Sequence, residues 1–174
     1  MSRFPERIDS RRLVMRLWED ADAPALHEAI RQSLDHLRPW MDWIAGEPLT
    51  PAQRLGFVRH VRLRWEQDVE AIYGVFLDEA VIGGCGLHRR QGPGAVEIGY
   101  WIHAAHTRQG YATELSAALT TTAFADPAIE RVEIHHAAGN LASAGVPRRL
   151  GFARRDLLPG ADGEWVMERA AWRG

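Results

Sequence analysis

The sequence predicts a mixed α/β fold in one domain spanning residues 1–174. Three observations carry that prediction. Some stretches alternate apolar and polar residues with period two, others repeat at helical spacing, and the two kinds of segment are interspersed along the chain. No low-complexity tract and no repeat of about 20–50 residues breaks the pattern. The 174 residues are 46% hydrophobic and 25% charged, the composition of an ordinary soluble globule. A chain of this size buries roughly 70% of its unfolded surface and needs no staples.

Each element has a local justification. From Arg11 to Trp18, Leu13, Met15 and Leu17 alternate with Arg12, Val14 and Arg16, as in a half-buried strand. Asp22 before Pro24 suits a helix N-terminus, and Leu26, Ile30, Leu34 and Leu37 follow at helical spacing. Arg38 to Leu49 reads as a loop holding Trp40, Met41 and Trp43. Thr50-Pro51 opens a second helix that carries Leu55, Val58, Val61 and Trp65. Ala71–Leu77 and Ala80–His88 read as strands joined by a tight Asp78-Glu79 turn. A second turn, Gln91-Gly92-Pro93-Gly94, precedes a strand over Ala95–Ile102. Gln109–Phe124 is helical, with Leu115, Leu119 and Phe124 on one side. A strand over Glu130–His136, a short helix over Leu141–Leu150 and strands over Phe152–Arg155 and Glu164–Ala170 complete the order β-α-α-β-β-β-α-β-α-β-β.

Composition excludes several chemistries. All 21 basic residues are arginine, set against 23 acidic ones for a formal net charge of -2. Without lysine there is no Schiff-base or pyridoxal chemistry, no complete Walker-A loop and no kinase-type lysine. Bound anions must be held by Arg, His, hydroxyls or backbone N–H groups. The single cysteine, Cys85, allows no internal disulfide and reads as a small buried apolar residue. The N-terminus lacks the apolar run of a signal peptide and no stretch approaches the roughly 20 apolar residues of a membrane span, so a cytoplasmic location is expected. Neither metal nor nucleic acid is expected. His103 and His106, and the pair His135-His136, lack a metal-ligand pattern and read as solvated. Arg59–Arg64 reads as a solvated helix face.

The most informative segment runs from Glu97 to Thr113, a strand, a short polar connection and a Gly-containing helix start. Unpaired N–H groups at a helix N-terminus form an anion site, so Arg108-Gln109-Gly110-Tyr111-Ala112-Thr113 is a candidate pyrophosphate cradle. Gly110 and Ala112 let phosphates approach the backbone. A Gly-x-Gly-x-x-Gly dinucleotide signature is absent.

The Thr107–Ala112 run, with Glu97-Ile98-Gly99-Tyr100-Trp101-Ile102 before it, resembles the acetyl-CoA loop of the GCN5-related N-acetyltransferases (GNAT). Asn140-x-x-Ser143-x-x-Val146, followed by Leu150-Gly151-Phe152, is similar to the signature of the RimJ/RimL-like branch. Leu37-Arg38-Pro39-Trp40 resembles that branch's Leu-x-Pro-Trp loop. The three blocks lie in family order, and the resemblance covers roughly Arg11 to Ala170. Thr107 departs from it, standing where Arg or Gln is usual.

The resemblance implies a mostly antiparallel, twisted sheet of about seven strands, splayed near the acetyl-CoA site and flanked by about four helices. It implies transfer of acetyl from acetyl-CoA to an amine by direct attack in a ternary complex. The acceptor it favours is the N-terminal α-amine of a protein of the ribosomal type. A small-molecule amine or amino acid is the alternative within the class, and a non-catalytic acyl-CoA sensor is the alternative outside it. Either a monomer or a homodimer would serve. Trp101, Ile102, His103, Arg108, Gln109, Gly110, Tyr111, Ala112, Thr113, Asn140, Ser143 and Arg149 are the implied donor-binding residues, with no metal. Arg108, Arg148 and Arg149 are within reach of an adenosine 3′-phosphate, and backbone N–H groups near Trp101–His103 would polarise the carbonyl. Trp40, Asp42 and Trp43 would form an acceptor wall and anionic hook.

The nucleophile must be a neutral amine. An α-amine is roughly 10–15% neutral at pH 7 and a lysine well under 0.1%, a difference of about 3 kcal/mol. Glu97 is the implied general base, although an ordinary Glu is too acidic for the task and would need burial or a water relay. Many relatives use a Tyr as the acid for the thiolate, seven residues after the motif Asn. That place is Pro147 here, so Ser143 is the implied substitute, with Asn140 orienting the pantetheine arm.

Overall fold

The computed structural model describes residues 3–155 and 162–174. Its elements are β1 (Arg7–Asp9), β2 (Val14–Leu17), α1 (Ala23–Leu37), α2 (Pro51–Glu66), β3 (Glu70–Leu77), β4 (Ala80–His88), β5 (Ala95–Ile102), α3 (Tyr111–Phe124), β6 (Arg131–His136), α4 (Leu141–Arg149), β7 (Ala153–Arg154) and β8 (Gly163–Glu168). The strands form one sheet in the order β1-β2-β3-β4-β5-β6-β8-β7. Every neighbouring pair is antiparallel except β5 and β6. Two parallel neighbours need a crossover, and α3 supplies it.

The expected mixed α/β architecture with four helices is present, with one strand more than expected. The addition is β1, whose three residues contain only Ile8 as a buried side chain, too little to show a period. Asp78 and Glu79 both take left-handed φ, 46° and 69°, which matches the twist of the β3–β4 hairpin without the usual Asn-Gly pair.

Alternation on the strands divides the core into two layers. Ile82, Cys85, Leu87, Val96, Ile98, Val132 and Ile134 pack with Leu115, Leu119 and Ala123 of α3. On the other face, Trp18 and Phe76 pack with Leu26 and Ile30 of α1 and Val58 and Val61 of α2. That second layer also takes in Ile72 of β3, Val81 of β4 and Trp101 at the far end of β5. Cys85 is buried as expected, and burial pushes its thiol up, so it is an inert core residue.

α2 begins with a capping box: Gln53 N–H donates to Thr50, and Thr50 N–H donates to the Gln53 side chain. One turn further, Arg54 pairs with Glu47 with side chains only 3% and 5% exposed. Glu47 also accepts from the Leu49 N–H at 3.0 Å. This pair ties the end of the Asp42–Gly46 turn, and Trp43 with it, to α2. A buried pair stripped of one partner leaves an uncompensated charge. Glu47→Ala should therefore lower the unfolding free energy by about 3–5 kcal/mol in urea titration. Replacing Glu47 and Arg54 together by apolar residues should recover much of that loss, and a single-variant cost below about 1 kcal/mol would contradict the assignment.

Candidate active site

The site is built on an interruption in the sheet. β5 pairs with β4 up to Ile102, and the His103 N–H donates to Ile82 O at 2.8 Å. On its other edge β5 pairs with β6 only as far as Ile98 and Ile134. The His103–Ile82 bond sets the alternation, so the N–H groups of Trp101 and Gly99 face β4 and those of Tyr100 and Ile102 face the opening. Two backbone donors two residues apart thus point into a cleft beside β6. Of the N–H groups expected across Trp101–His103 only that of Ile102 faces the opening, and Tyr100, outside that range, adds a second. The His103 N–H is spent in the sheet, and its ring is occupied by Gln32 and the Ala105 N–H.

On the α3 face of the cleft lies the helix N-terminus. Gly110 is the N-cap at φ 81°, no side chain caps the turn, and Arg108 is also left-handed at φ 61°. The loop thereby turns its backbone N–H groups outward while Tyr111 inserts into the core. Arg12, a cation the motifs do not point to, packs on this turn. Its guanidinium stacks on Tyr111 at 4.5 Å, donates to Gln109 O at 3.1 Å and pairs with Glu114 at 2.7 Å. Arg108, Arg148 and Gln109 are exposed, and Arg149 folds back against Gly145 of its own helix.

α4 closes the same face. Asn140 is its N-cap and accepts from the Ser143 N–H at 3.0 Å, which accounts for the Asn-x-x-Ser spacing. Ser143 Oγ lies 2.9 Å from the hydroxyl of Tyr100, reaching across from β5. Burial pushes the Tyr100 hydroxyl up to about 12, against the Ser143 hydrogen bond and the charge of Arg149. A hydroxyl pair therefore stands where the sequence offered Ser143 alone.

The opposite face is glycine-floored and polar. A Cβ at Gly84 would lie 2.5 Å from the Trp101 indole nitrogen, and one at Gly86 would lie 2.7 Å from His88 Nε2. These glycines let the two rings lie flat on the sheet. Trp43 meets Trp101 with centroids 6.3 Å apart, whereas Trp40 is half-buried and Asp42 exposed elsewhere on the same loop. Glu97 is buried and takes bonds from Arg90, at 2.8 Å for Nε, and from Gln91. Burial acts to raise its carboxyl, but the bonds from Arg90 and Gln91 and the charges of Arg90 and His135 outweigh it and hold the group below the usual value. Beyond the opening, His135 lies 3.0 Å from Glu133, which also pairs with Arg131 and Arg155.

The sequence matches the acetyltransferase (GNAT) domain over residues 12–153. The chain belongs to the GNAT acetyltransferase family. The YdaF protein of Bacillus subtilis, named as a proposed ribosomal N-acetyltransferase, is 32% identical over 143 residues, which are 80% of this chain and 77% of that one. Among solved structures, RimL, a ribosomal L7/L12 alpha-N-protein acetyltransferase in complex with coenzyme A, superposes with a TM-score of 0.83 at 23% identity, covering 94% of this chain and 98% of that one. A structure from Vibrio cholerae, described as a proposed ribosomal-protein-serine acetyltransferase, gives a TM-score of 0.79 at 26% identity, covering 93% and 97%. The protein is an acyl-CoA-dependent acetyltransferase with acetyl-CoA as its donor. The helix start, the backbone donors and the hydroxyl pair all lie toward the C-terminal ends of β5 and β6 or just after them.

For a GNAT site, several expectations need correction. The four histidines read as solvated are half-buried, and three are hydrogen-bonded: His103 to Gln32, His135 to Glu133, and His136 to Trp165 at 3.1 Å. His106 packs edge-on against His103. Glu133, His135 and Glu164 bring ligand-type atoms within 4.8 Å, but arginines already satisfy the carboxylates. Sequence reasoning missed Arg12, Tyr100, His88 and Glu70. Among the described residues no helix is long and apolar enough to cross a membrane.

Glu70 accepts from His88 Nδ1 at 2.6 Å and pairs with Arg64, and its carboxyl is lowered to about 2, chiefly by the His88 bond. A depressed carboxylate stabilises the fold above its unfolded pKa, and that contribution is lost as pH falls toward the folded value. Glu70→Gln should therefore make stability fall less steeply between about pH 5 and pH 3, read by urea unfolding at each pH. A slope identical to the parent's would rule out a native-state role for this carboxylate.

Proposed function

We propose that the protein acetylates the N-terminal α-amine of a protein or peptide, of the kind ribosomal proteins offer, by direct attack within a ternary complex. The observation that carries this reading is the polar strip beside the opening, where arginine side chains lie over Glu97 and Glu133. α1 and α2 pack over β3 and β4, while Glu97, Arg131, Glu133 and His135 line β5 and β6 with no helix packed over them among the described residues. An extended chain terminus can lie along that strip with its amine at the cleft. The names of YdaF and RimL agree with this acceptor class.

Each side chain has a role in this reading. The N–H groups of Gly110 to Thr113 and the neighbouring Arg108 and Arg12 hold the pyrophosphate, with Gln109 shaping the turn. Arg149 and Arg148 serve the 3′-phosphate. Asn140 keeps its amide N–H₂ free for the pantetheine arm, because only its oxygen is used in capping. Ile102 and Tyr100 N–H groups hold the thioester oxygen, where negative charge develops. Ser143, backed by Tyr100, protonates the departing thiolate. Trp43 and Trp101 form the aromatic wall for a cationic acceptor, with Asp42 and Trp40 at its outer edge. Glu97, bound by Arg90 and Gln91, sets the charge of the rim.

Free-thiol release on a panel of peptides and small amines tests the assignment. Peptides with a free α-amine and no lysine should be turned over, the same peptides with a blocked N-terminus should not, and mass spectrometry should place the acetyl on the terminal nitrogen. Ser143→Ala should lower kcat roughly 10–100-fold with a smaller change in KM for acetyl-CoA. Trp43→Ala should raise the acceptor KM about 5–10-fold. Preference for small amines over every peptide would overturn the acceptor class.

A further inference from the structure

We propose that His88, oriented by Glu70, is the group that takes the proton from the acceptor nitrogen. The proposal rests on the reading that the acceptor lies on this face of the sheet with its amine at the cleft.

Four observations lead to it. First, His88 Nε2 lies 2.7 Å from the place of a Cβ on Gly86 and 3.3 Å from that on Gly99. Gly99 is the first residue of β5 beyond its pairing with β6, so the imidazole edge reaches the start of the cleft. Second, Nδ1 is held at 2.6 Å by Glu70, itself anchored by Arg64 of α2. A carboxylate fixes the proton on Nδ1 and leaves the Nε2 lone pair as the acceptor. Third, among the described residues Nε2 has no hydrogen-bond partner, whereas both nitrogens of His135 face carboxylates, Glu133 at 3.0 Å and Glu97 at 3.9 Å. Fourth, Glu97, opposite His88 in the β4–β5 register, has its carboxylate taken by Arg90 and Gln91. The charged groups around the imidazole are thus Glu70 on β3, Arg64 on α2, Glu97 on β5 and Arg90 in the turn between β4 and β5.

The step balances. The amine lone pair forms the C–N bond at the thioester carbonyl carbon, and the C–S bond then breaks with its electron pair leaving on sulfur. One proton passes from nitrogen to His88 Nε2, where the Glu70 carboxylate stabilises the imidazolium. One proton passes to sulfur from the Tyr100–Ser143 hydroxyls on the opposite face. The imidazolium later returns its proton to water, and solvent replenishes the hydroxyls.

The test measures kcat and KM from pH 6 to 9 by thiol release, with whichever acceptor the parent protein uses. His88→Gln should lower kcat about 100-fold, with acetyl-CoA affinity by calorimetry within about twofold of the parent. Added imidazole should restore part of the activity of His88→Ala. Glu70→Gln should lower kcat without raising the KM for acetyl-CoA, and Glu70→Asp should restore part of the rate, because a carboxylate is needed to fix the imidazole tautomer. An unchanged profile in His88→Gln, or loss of the acid limb in Glu97→Gln alone, would overturn the proposal. A parent protein that turns over small amines but no peptide overturns the acceptor reading while leaving the His88 comparison decisive, and one that acetylates neither overturns both.

Discussion

Everything at this site depends on β5 losing one neighbour before the other. A strand in the middle of a sheet has its N–H and C=O groups consumed on both edges, and an unpaired buried group costs as much as a lost hydrogen bond. β5 keeps β4 to Ile102 but releases β6 after Ile98. The residues in between present backbone donors to one side only. Because β5 and β6 are parallel, both run toward the same end, and α3 carries the chain back to the other end between them. The cleft can therefore open without breaking a hairpin. The helix N-terminus that follows β5 and the one that follows β6 arrive at the same end, as they do in open parallel sheets where ligands gather at strand C-termini.

The cleft has two chemically distinct faces because strand side chains alternate. Tyr100 points toward α4 and meets Ser143, while Gly99 and Trp101 on either side of it face the other way. One face thus carries neutral hydroxyls that hold a proton tightly, and the other carries an imidazole, carboxylates and arginines. Proton donation to a leaving sulfur and proton removal from an entering nitrogen are separated by the thickness of the sheet. Neither group can neutralise the other directly, and each is tuned by its own surroundings. Lysine-free composition suits this separation. Arginine keeps its charge and binds carboxylates in a fixed fork, so Glu97 and Glu133 remain paired rather than exchanging protons with their partners.

Much of the fold was legible in the sequence, because period and punctuation are local properties. The helices at Ala23–Leu37 and Pro51–Glu66 carried their caps beside them, and the strands at Glu70–Leu77 and Ala80–His88 carried their turn. The donor loop was legible for the same reason: Gly110 and the helix it opens are neighbours in the chain. What failed to show depends on register and on faces. Glu70 and His88 are 18 residues apart and meet because the β3–β4 hairpin places them opposite one another. Arg12 reaches Gln109 across 97 residues. Tyr100 was visible within a motif, but which face it occupied relative to Ser143 followed from the alternation set by His103 and Ile82. The histidines illustrate the converse. A polar residue near the end of a strand reads as solvated until the strand on its flank supplies a partner, as Trp165 does for His136.

Glycine distribution gives the last constraint. Gly84, Gly86 and Gly99 lie on one face of β4 and β5, in strands otherwise built from residues that favour extended backbone. Glycine inside a strand forgoes side-chain packing and loses more backbone entropy on folding than any other residue. A sheet selected only for stability would fill these places. The neighbouring pairs offset that weakness, since β3 and β4 register over most of their length and β4 holds β5 through Ile102. The space left above the glycines is occupied by the Trp101 and His88 rings, lying against backbone rather than against side chains. Rings seated in this way are fixed from below, and Trp43 beside Trp101 and Glu70 beside His88 hold them from the flank. Fixed rings are what positioning an amine at the edge of a thioester requires, and the glycines supply them at the cost of local strand stability.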